Sequence, residues 1–256
     1  MNVLRKLCIL TISSFLLSLI YSCGSSSRNE LIQNLPDTLK IGTLYSPTSF
    51  FIFRGDTLGY EYERIQNFVS DKKIHSKFYI ARNMAEMISM LDSGKIDIIA
   101  YEIPIINEYK NTLINCGNET VTTQVLVQPK SDNMITDVTQ LIGKDIYVEQ
   151  NSKYEIRLRN LDNEVGGGIS IHSINKDSII TEDLIKMVAE RQIPLTIVDS
   201  DIAKLNQTYF KNIDINLPIS FEQRASWAVN KSNSVLADSI NVYLRIYQCS
   251  KSYRWT

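Results

Sequence analysis

Ile96-Asp97-Ile98-Ile99-Ala100-Tyr101-Glu102 and Ile193-Pro194-Leu195-Thr196-Ile197-Val198-Asp199 are two apolar runs, each followed by an acid, set 97 residues apart. Both come after an amphipathic stretch. Ahead of the first, Asn83 is a good N-cap with Glu86 three residues on, and Met84, Met87, Ile88 and Leu91 recur at helical spacing until Ser93-Gly94 ends the helix. The methionine stripe reads as core rather than as a ligand groove. Ahead of the second, residues 181–191 predict a helix with Leu184, Ile185 and Val188 in the places of Met87, Ile88 and Leu91. Strands alternating with helices build an α/β sheet, and here the unit occurs twice.

Working outward, residues 39–44 alternate as a strand. Gly59 opens a helix with Tyr62, Ile65, Phe68 and Val69 on one face, and residues 76–81 predict a further strand. Ligands of open α/β sheets bind outside the carboxyl ends of the strands, so Glu102 and Asp199 are candidate ligand contacts if the two ends face one cleft. Units of this kind also resemble one another without sharing a site, and the echo alone leaves both possibilities open. Two extended runs, residues 120–129 and 225–230, read as crossings between lobes, leaving near residue 127 and returning near 225. A double crossover of this type makes a hinge.

Among 256 residues, Lys plus Arg number 27 and Asp plus Glu 28, a net charge of −1, which supplies no general basic field for nucleic acid. His75 and His172 lie in unrelated segments, at expected strand edges, which argues against a multi-histidine metal site. Cys8, Cys23, Cys116 and Cys249 show no CxxC spacing. Gly166-Gly167-Gly168 reads as a loop before a strand, not a phosphate loop, and no GxSxG motif is present. No cofactor is expected.

Residues 1–22 read as a signal peptide. Arg5-Lys6 precedes an apolar run over residues 7–20, short of the roughly 20 residues that span a bilayer. Leu19-Ile20-Tyr21-Ser22-Cys23 is similar to a bacterial lipobox, in which Cys23 would take a lipid anchor; the alternative is an ordinary cleaved signal with a stray cysteine. Residues 23–36 form a polar tether. Export implies an oxidising compartment, where Cys116 and Cys249 could pair, although their spacing carries no geometric evidence for it.

Gly59-Tyr60-Glu61-Tyr62-Glu63 before a helix, residues 91–98, and Val198-Asp199-Ser200-Asp201-Ile202-Ala203 resemble the family 3 extracytoplasmic solute-binding domain. Residues 199–210, followed by Ala225-Ser226-Trp227-Ala228-Val229-Asn230-Lys231, are similar to the N-terminal domain of the membrane-bound lytic transglycosylase F family. The resemblance covers roughly residues 37–247. It implies an α/β, two-lobed, periplasmic-binding-protein-like fold of type II with a two-strand hinge. Residues 37–126 and 226–256 would form lobe one, and residues 127–225 lobe two.

Family members that bind amino acids hold the ligand carboxylate on an arginine fork in lobe one. Here Tyr109 stands at that position, with Lys110 beside it, which disfavours an ordinary amino-acid importer component. In lobe two, Ser152 at a strand-to-helix turn could hold an anion with the helix amides. Asp199 matches the acid that receives a ligand amine, or else it caps the helix that follows. Tyr45 and Tyr60, with Phe50 and Phe51, could stack on a ligand or fill the lobe core. The ligand-binding set is therefore Tyr45, Tyr60, Glu102, Ser152 and Asp199, with Cys23 for lipidation and no catalytic or metal residue.

Lytic transglycosylases also need a catalytic carboxyl group in a separate module. This sequence has no Glu-Ser pair and is expected not to be an enzyme by itself. It is expected to be a monomeric lipoprotein facing the periplasm from the outer or inner membrane. It would bind an amino acid or a peptidoglycan-derived peptide, and could sense for, or be part of, a transglycosylase.

Overall fold

The structure, a computed structural model, describes residues 35–46, 48–174 and 179–252, apart from the side chains of 247–252. The signal segment, Cys23 and nearly all of the tether lie outside the described residues. The compact unit begins at Thr38.

In chain order the strands and helices begin with β1 (Thr38–Leu44), β2 (Phe51–Phe53), β3 (Asp56–Leu58), α1 (Tyr60–Lys72), β4 (His75–Ala81), α2 (Met84–Asp92), β5 (Ile98–Pro104) and β6 (Leu113–Thr122). They continue with β7 (Gln124–Pro129), β8 (Asp145–Glu149), α3 (Lys153–Glu164), β9 (Ser170–Ile174), α4 (Thr181–Ala189), β10 (Thr196–Asp199), α5 (Ser200–Tyr209), β11 (Ile213–Asp214), β12 (Gln223–Asn230) and α6 (Ser234–Ser252). Two five-stranded sheets result. Lobe one has the order β4-β1-β5-β12-β6, and lobe two β11-β7-β10-β8-β9. β4, β1 and β5 run parallel, as do β10, β8 and β9, while β12, β6 and β7 pair antiparallel with their neighbours.

Each lobe has its own core. In lobe one Met84, Met87, Met90 and Leu91 of α2 are buried with Ile96, Ile99 and Ile103. Complete burial of a side chain such as Met87 contributes about 1.5–3 kcal/mol. In lobe two Leu184, Ile185 and Val188 of α4 pack with Ile146, Val148, Ile197 and Val198. The matched stripes of the two units are thus both core. Asn83 caps α2 by accepting from the Glu86 amide at 2.9 Å, while Glu86 reaches the Arg82 amide at 2.7 Å rather than that of Asn83. His75 and His172 lie on the edge strands β4 and β9. Cys116 is a buried free thiol.

The chain changes sheets between Thr122 and Gln124, and changes back between Ser220 and Gln223. Both points lie a few residues ahead of the positions read from sequence. The two linkers are tied together. The Gln124 amide donates to Ser220 Oγ at 3.0 Å, the Ile219 amide donates to the Gln124 carbonyl at 2.8 Å, and Gln223 pairs with Thr122.

The hairpin β2–β3 turns at Arg54-Gly55, both with positive φ (54° and 91°), the two-residue geometry whose twist suits flanking strands. Gly59, with φ 139°, follows it. A Cβ there would fall 2.2 Å from the Ser49 carbonyl oxygen, so only glycine lets the hairpin pass this closely into α1.

Candidate functional site

The carboxyl ends of the strands in both lobes meet at one cavity of about 710 Å³. Leu44 of β1, Ala81 of β4 and Glu102 of β5 line it from lobe one, and Glu149 of β8 and Asp199 of β10 from lobe two. Tyr45 and Tyr60 stand in its wall, both more than half exposed. Four of the five expected ligand contacts are therefore brought together.

Ser152 is placed differently. It is not in the cavity wall but borders a small adjoining void. Its hydroxyl accepts from the Glu155 amide at 3.2 Å, while Glu155 Oε2 accepts from the Asn151 amide at 2.6 Å. The two side chains take up backbone donors at the start of α3, and those donors are no longer offered to an anion. Phe50 packs on Tyr62 and Phe78 with ring centroids 5.6 Å apart, as lobe core rather than cleft wall. Tyr109 lies in a short 3-10 turn, Asn107–Tyr109, half-buried against the lobe-one core and away from the cavity.

Asp199 opens α5, yet its side chain makes no capping bond. It is 2% exposed, and its Oδ2 accepts from the Tyr154 hydroxyl at 3.3 Å and pairs with Lys153 Nζ. Its Oδ1 is buried without a partner. Burial raises the Asp199 pKa, and the adjacent Lys153 ammonium opposes that rise. Lys153 also reaches Glu102 Oε2 at 3.5 Å, so one ammonium touches the strand-end acids of both lobes. Burial works against its charge, but Tyr154, Asp199, Tyr101 and Glu102 around it hold Lys153 well above the usual lysine range. A lysine in the first turn of a helix opposes the helix dipole; here the two carboxylates offset that cost.

Sequence reasoning missed Lys153, Glu61 and Glu149. Glu61, 4% exposed in α1, accepts from Trp227 Nε1 at 2.6 Å and from Arg64 at 3.1 Å. Its pKa is raised by burial, against the pull of Arg64 and Trp227. Burial pushes Glu149 up to about 7, with a Thr181 bond opposing and Glu182 adding to the rise. Glu182, Asp183 and Asp201 complete the acids of the cavity wall, seven in all, against Lys153 and Arg82. Among the described residues no group of His, Cys, Asp and Glu is arranged to hold a metal ion.

The sequence profile of the bacterial extracellular solute-binding proteins, family 3, matches residues 39–254. Over 210 residues the chain is 30% identical to a membrane-bound lytic murein transglycosylase F from Pseudomonas fluorescens (strain Pf0-1), a match covering 80% of this chain and 42% of that protein. The corresponding protein of Desulfosudis oleivorans is 29% identical over 197 residues, with 75% and 42% covered. The chain thus spans less than half the length of these curated relatives, and the match falls on their solute-binding portion. Among solved structures, the holo arginine-binding protein of T. maritima superposes with a TM-score of 0.70 at 20% identity, covering 86% of this chain and 93% of that one. A histidine kinase sensor domain with similarity to periplasmic binding proteins gives 0.68 at 16% identity, with 85% and 92% covered. At these identities the likeness is one of fold, and the fold is two-lobed.

Proposed function

The chain belongs to the bacterial extracellular solute-binding proteins, family 3, and from that premise we propose that it is a membrane-anchored module that captures a small cationic solute between its lobes. The observation that carries this is the charge of the cavity: seven carboxylates face two cationic side chains where the strand ends of both lobes converge. Buried acids whose charge is suppressed by desolvation gain most from a cationic partner. Tyr45 and Tyr60 would flank the solute, and Asp199 with Glu102 would receive its ammonium. Closure about the paired linkers would follow from a ligand that contacts both lobes and so favours the closed state.

The anchor is Cys23, carrying lipid outside the cytoplasm. The match to lytic murein transglycosylases favours a sensing or regulatory role beside peptidoglycan cleavage, in the same longer protein or in a partner. Arginine-type amino acids and peptidoglycan stem peptides with a free side-chain amine are the solute classes that fit. Relatives in the solved structures whose names include bound arginine support the first class.

A thermal-shift screen of the full chain tests the proposal. The panel holds cationic, neutral and acidic amino acids and stem peptides. A solute at about 100 times its Kd adds about 2.7 kcal/mol, a Tm rise of roughly 5–10 °C for a domain of this size. Cationic members should give that rise; a response confined to acidic or neutral members would sink the proposal.

A further inference from the structure

Lys153 stands between the strand-end acids of the two lobes. Its side chain is 8% exposed, it pairs with Asp199 Oδ2, and it reaches Glu102 across the cleft at 3.5 Å. A second cavity, of about 180 Å³, adjoins the linkers, and Lys153 and Asp199 border both cavities. Three residues of the second cavity carry buried oxygens without a partner: Thr122 Oγ1, Gln124 Oε1 and Asp199 Oδ1. Gln124 and Asp199 are 3% and 2% exposed and stand directly opposite each other in the β7–β10 ladder. Their side chains therefore project from the same face, with Cβ atoms about 5 Å apart. Buried oxygens left unpaired call for a donor. An ammonium brings three N–H groups, matching the three oxygens in number.

We propose that Lys153 is an internal stand-in for the ligand's ammonium. It holds the Asp199–Glu102 receptor until a solute amine displaces it, and then turns to the linker-side oxygens of Asp199, Gln124 and Thr122. This rests on the cleft being a cation site and deepens it. The solute must carry a primary ammonium able to outcompete a tethered one, and Lys153 sets that threshold. Asp199 keeps a cation on each side of its carboxylate in the liganded state, so the exchange leaves no buried acid unpaired.

Truncating the stand-in should leave a receptor that a free amine can fill. The full chain with Lys153→Ala is heated with n-butylammonium chloride, with sodium chloride at equal ionic strength, and with 1-butanol. The expected result is a saturable Tm rise of about 5 °C with n-butylammonium alone, absent in the wild-type chain at the same concentrations and lost in Lys153→Ala/Asp199→Asn. If Lys153→Ala does not fold, Lys153→Met retains the stem and methylammonium becomes the probe. The cationic solute found by the thermal screen should also bind the Lys153 variant at least about 10-fold more tightly than wild type.

No saturable response to either alkylammonium, or weaker solute binding by the variant, overturns the inference, because Lys153 would then be a ligand contact or a structural ion pair. The two ideas fail separately. Wild-type binding of a cationic solute without alkylammonium rescue refutes the stand-in alone. Rescue in a chain that binds no cationic solute counts against the cleft's proposed role.

Discussion

The Lys153 ammonium of lobe two lies 3.5 Å from the Glu102 carboxylate of lobe one. The same ammonium pairs with Asp199, so two acids 97 residues apart in sequence are joined through a third residue that belongs to neither repeated unit. The contact ties the lobes across the cleft. The energetic weight of a buried ion pair lies mainly in what remains if one partner is removed: an unpaired buried charge costs about 3–5 kcal/mol.

Ser152→Ala should lower stability by about 1 kcal/mol through loss of the α3 cap. Solute affinity should stay within about twofold, because the hydroxyl is engaged with the Glu155 amide. Chemical denaturation and calorimetry on the same variant check both halves. A large loss of affinity with unchanged stability would return Ser152 to the ligand site.

Glu149 should make both stability and binding depend on pH. Its folded pKa, about 7, lies above the ordinary 4.5. The protonated form is thus favoured by folding; the contribution is full below about 4.5 and is lost as pH rises through about 7. A bound cation favours the ionised form instead, so affinity for a cationic solute should climb between pH 5 and about 7. Glu149→Gln should flatten both curves and raise Tm relative to wild type at pH 8. Melting curves and titrations across pH 5 to 8 measure this, and identical slopes in the variant would contradict it.

Gly59→Ala should cost about 2–3 kcal/mol or more, lowering Tm by roughly 5–10 °C. The added Cβ would meet the Ser49 carbonyl at 2.2 Å, in a backbone conformation that other residues rarely adopt. A variant melting within 1–2 °C of wild type would show that the hairpin yields freely.

Cys23→Ser should abolish lipid attachment. Labelled palmitate should enter the wild-type chain in growing bacteria and not the variant; label in the variant would rule out Cys23 as the anchor.

The repeated helix-strand units were legible because burial imposes period and length on a local stretch: the stripes of α2 and α4 could be read without knowing what they pack against. β5 was legible only in part. From sequence it closed at Glu102, whereas it runs to Pro104 because β12, more than a hundred residues later, pairs with it at Ala225↔Pro104. The β2–β3 hairpin carried a usable signal in Arg54-Gly55 directly after the apolar run Phe50-Phe51-Ile52-Phe53. Glu102 and Asp199 could be picked out as strand-end acids, but Lys153 could not. Beside an N-cap serine a lysine reads as an exposed first-turn residue, and only the assembled lobes surround it with acids from 51 residues before and 46 after. Ser152 differs from Lys153, since its hydroxyl has a local partner, the Glu155 amide three residues on.

Calorimetric titration of the best stabilising cationic solute into the wild-type chain and Asp199→Asn tests the central claim most directly. The carboxylate makes no capping bond, so Asn removes the charge without removing a cap, and circular dichroism should show both proteins folded. A charge-assisted hydrogen bond contributes about 1.5–3 kcal/mol, so binding should be one-site in wild type and about 10- to 150-fold weaker in the variant. Equal affinity in two folded proteins would contradict it.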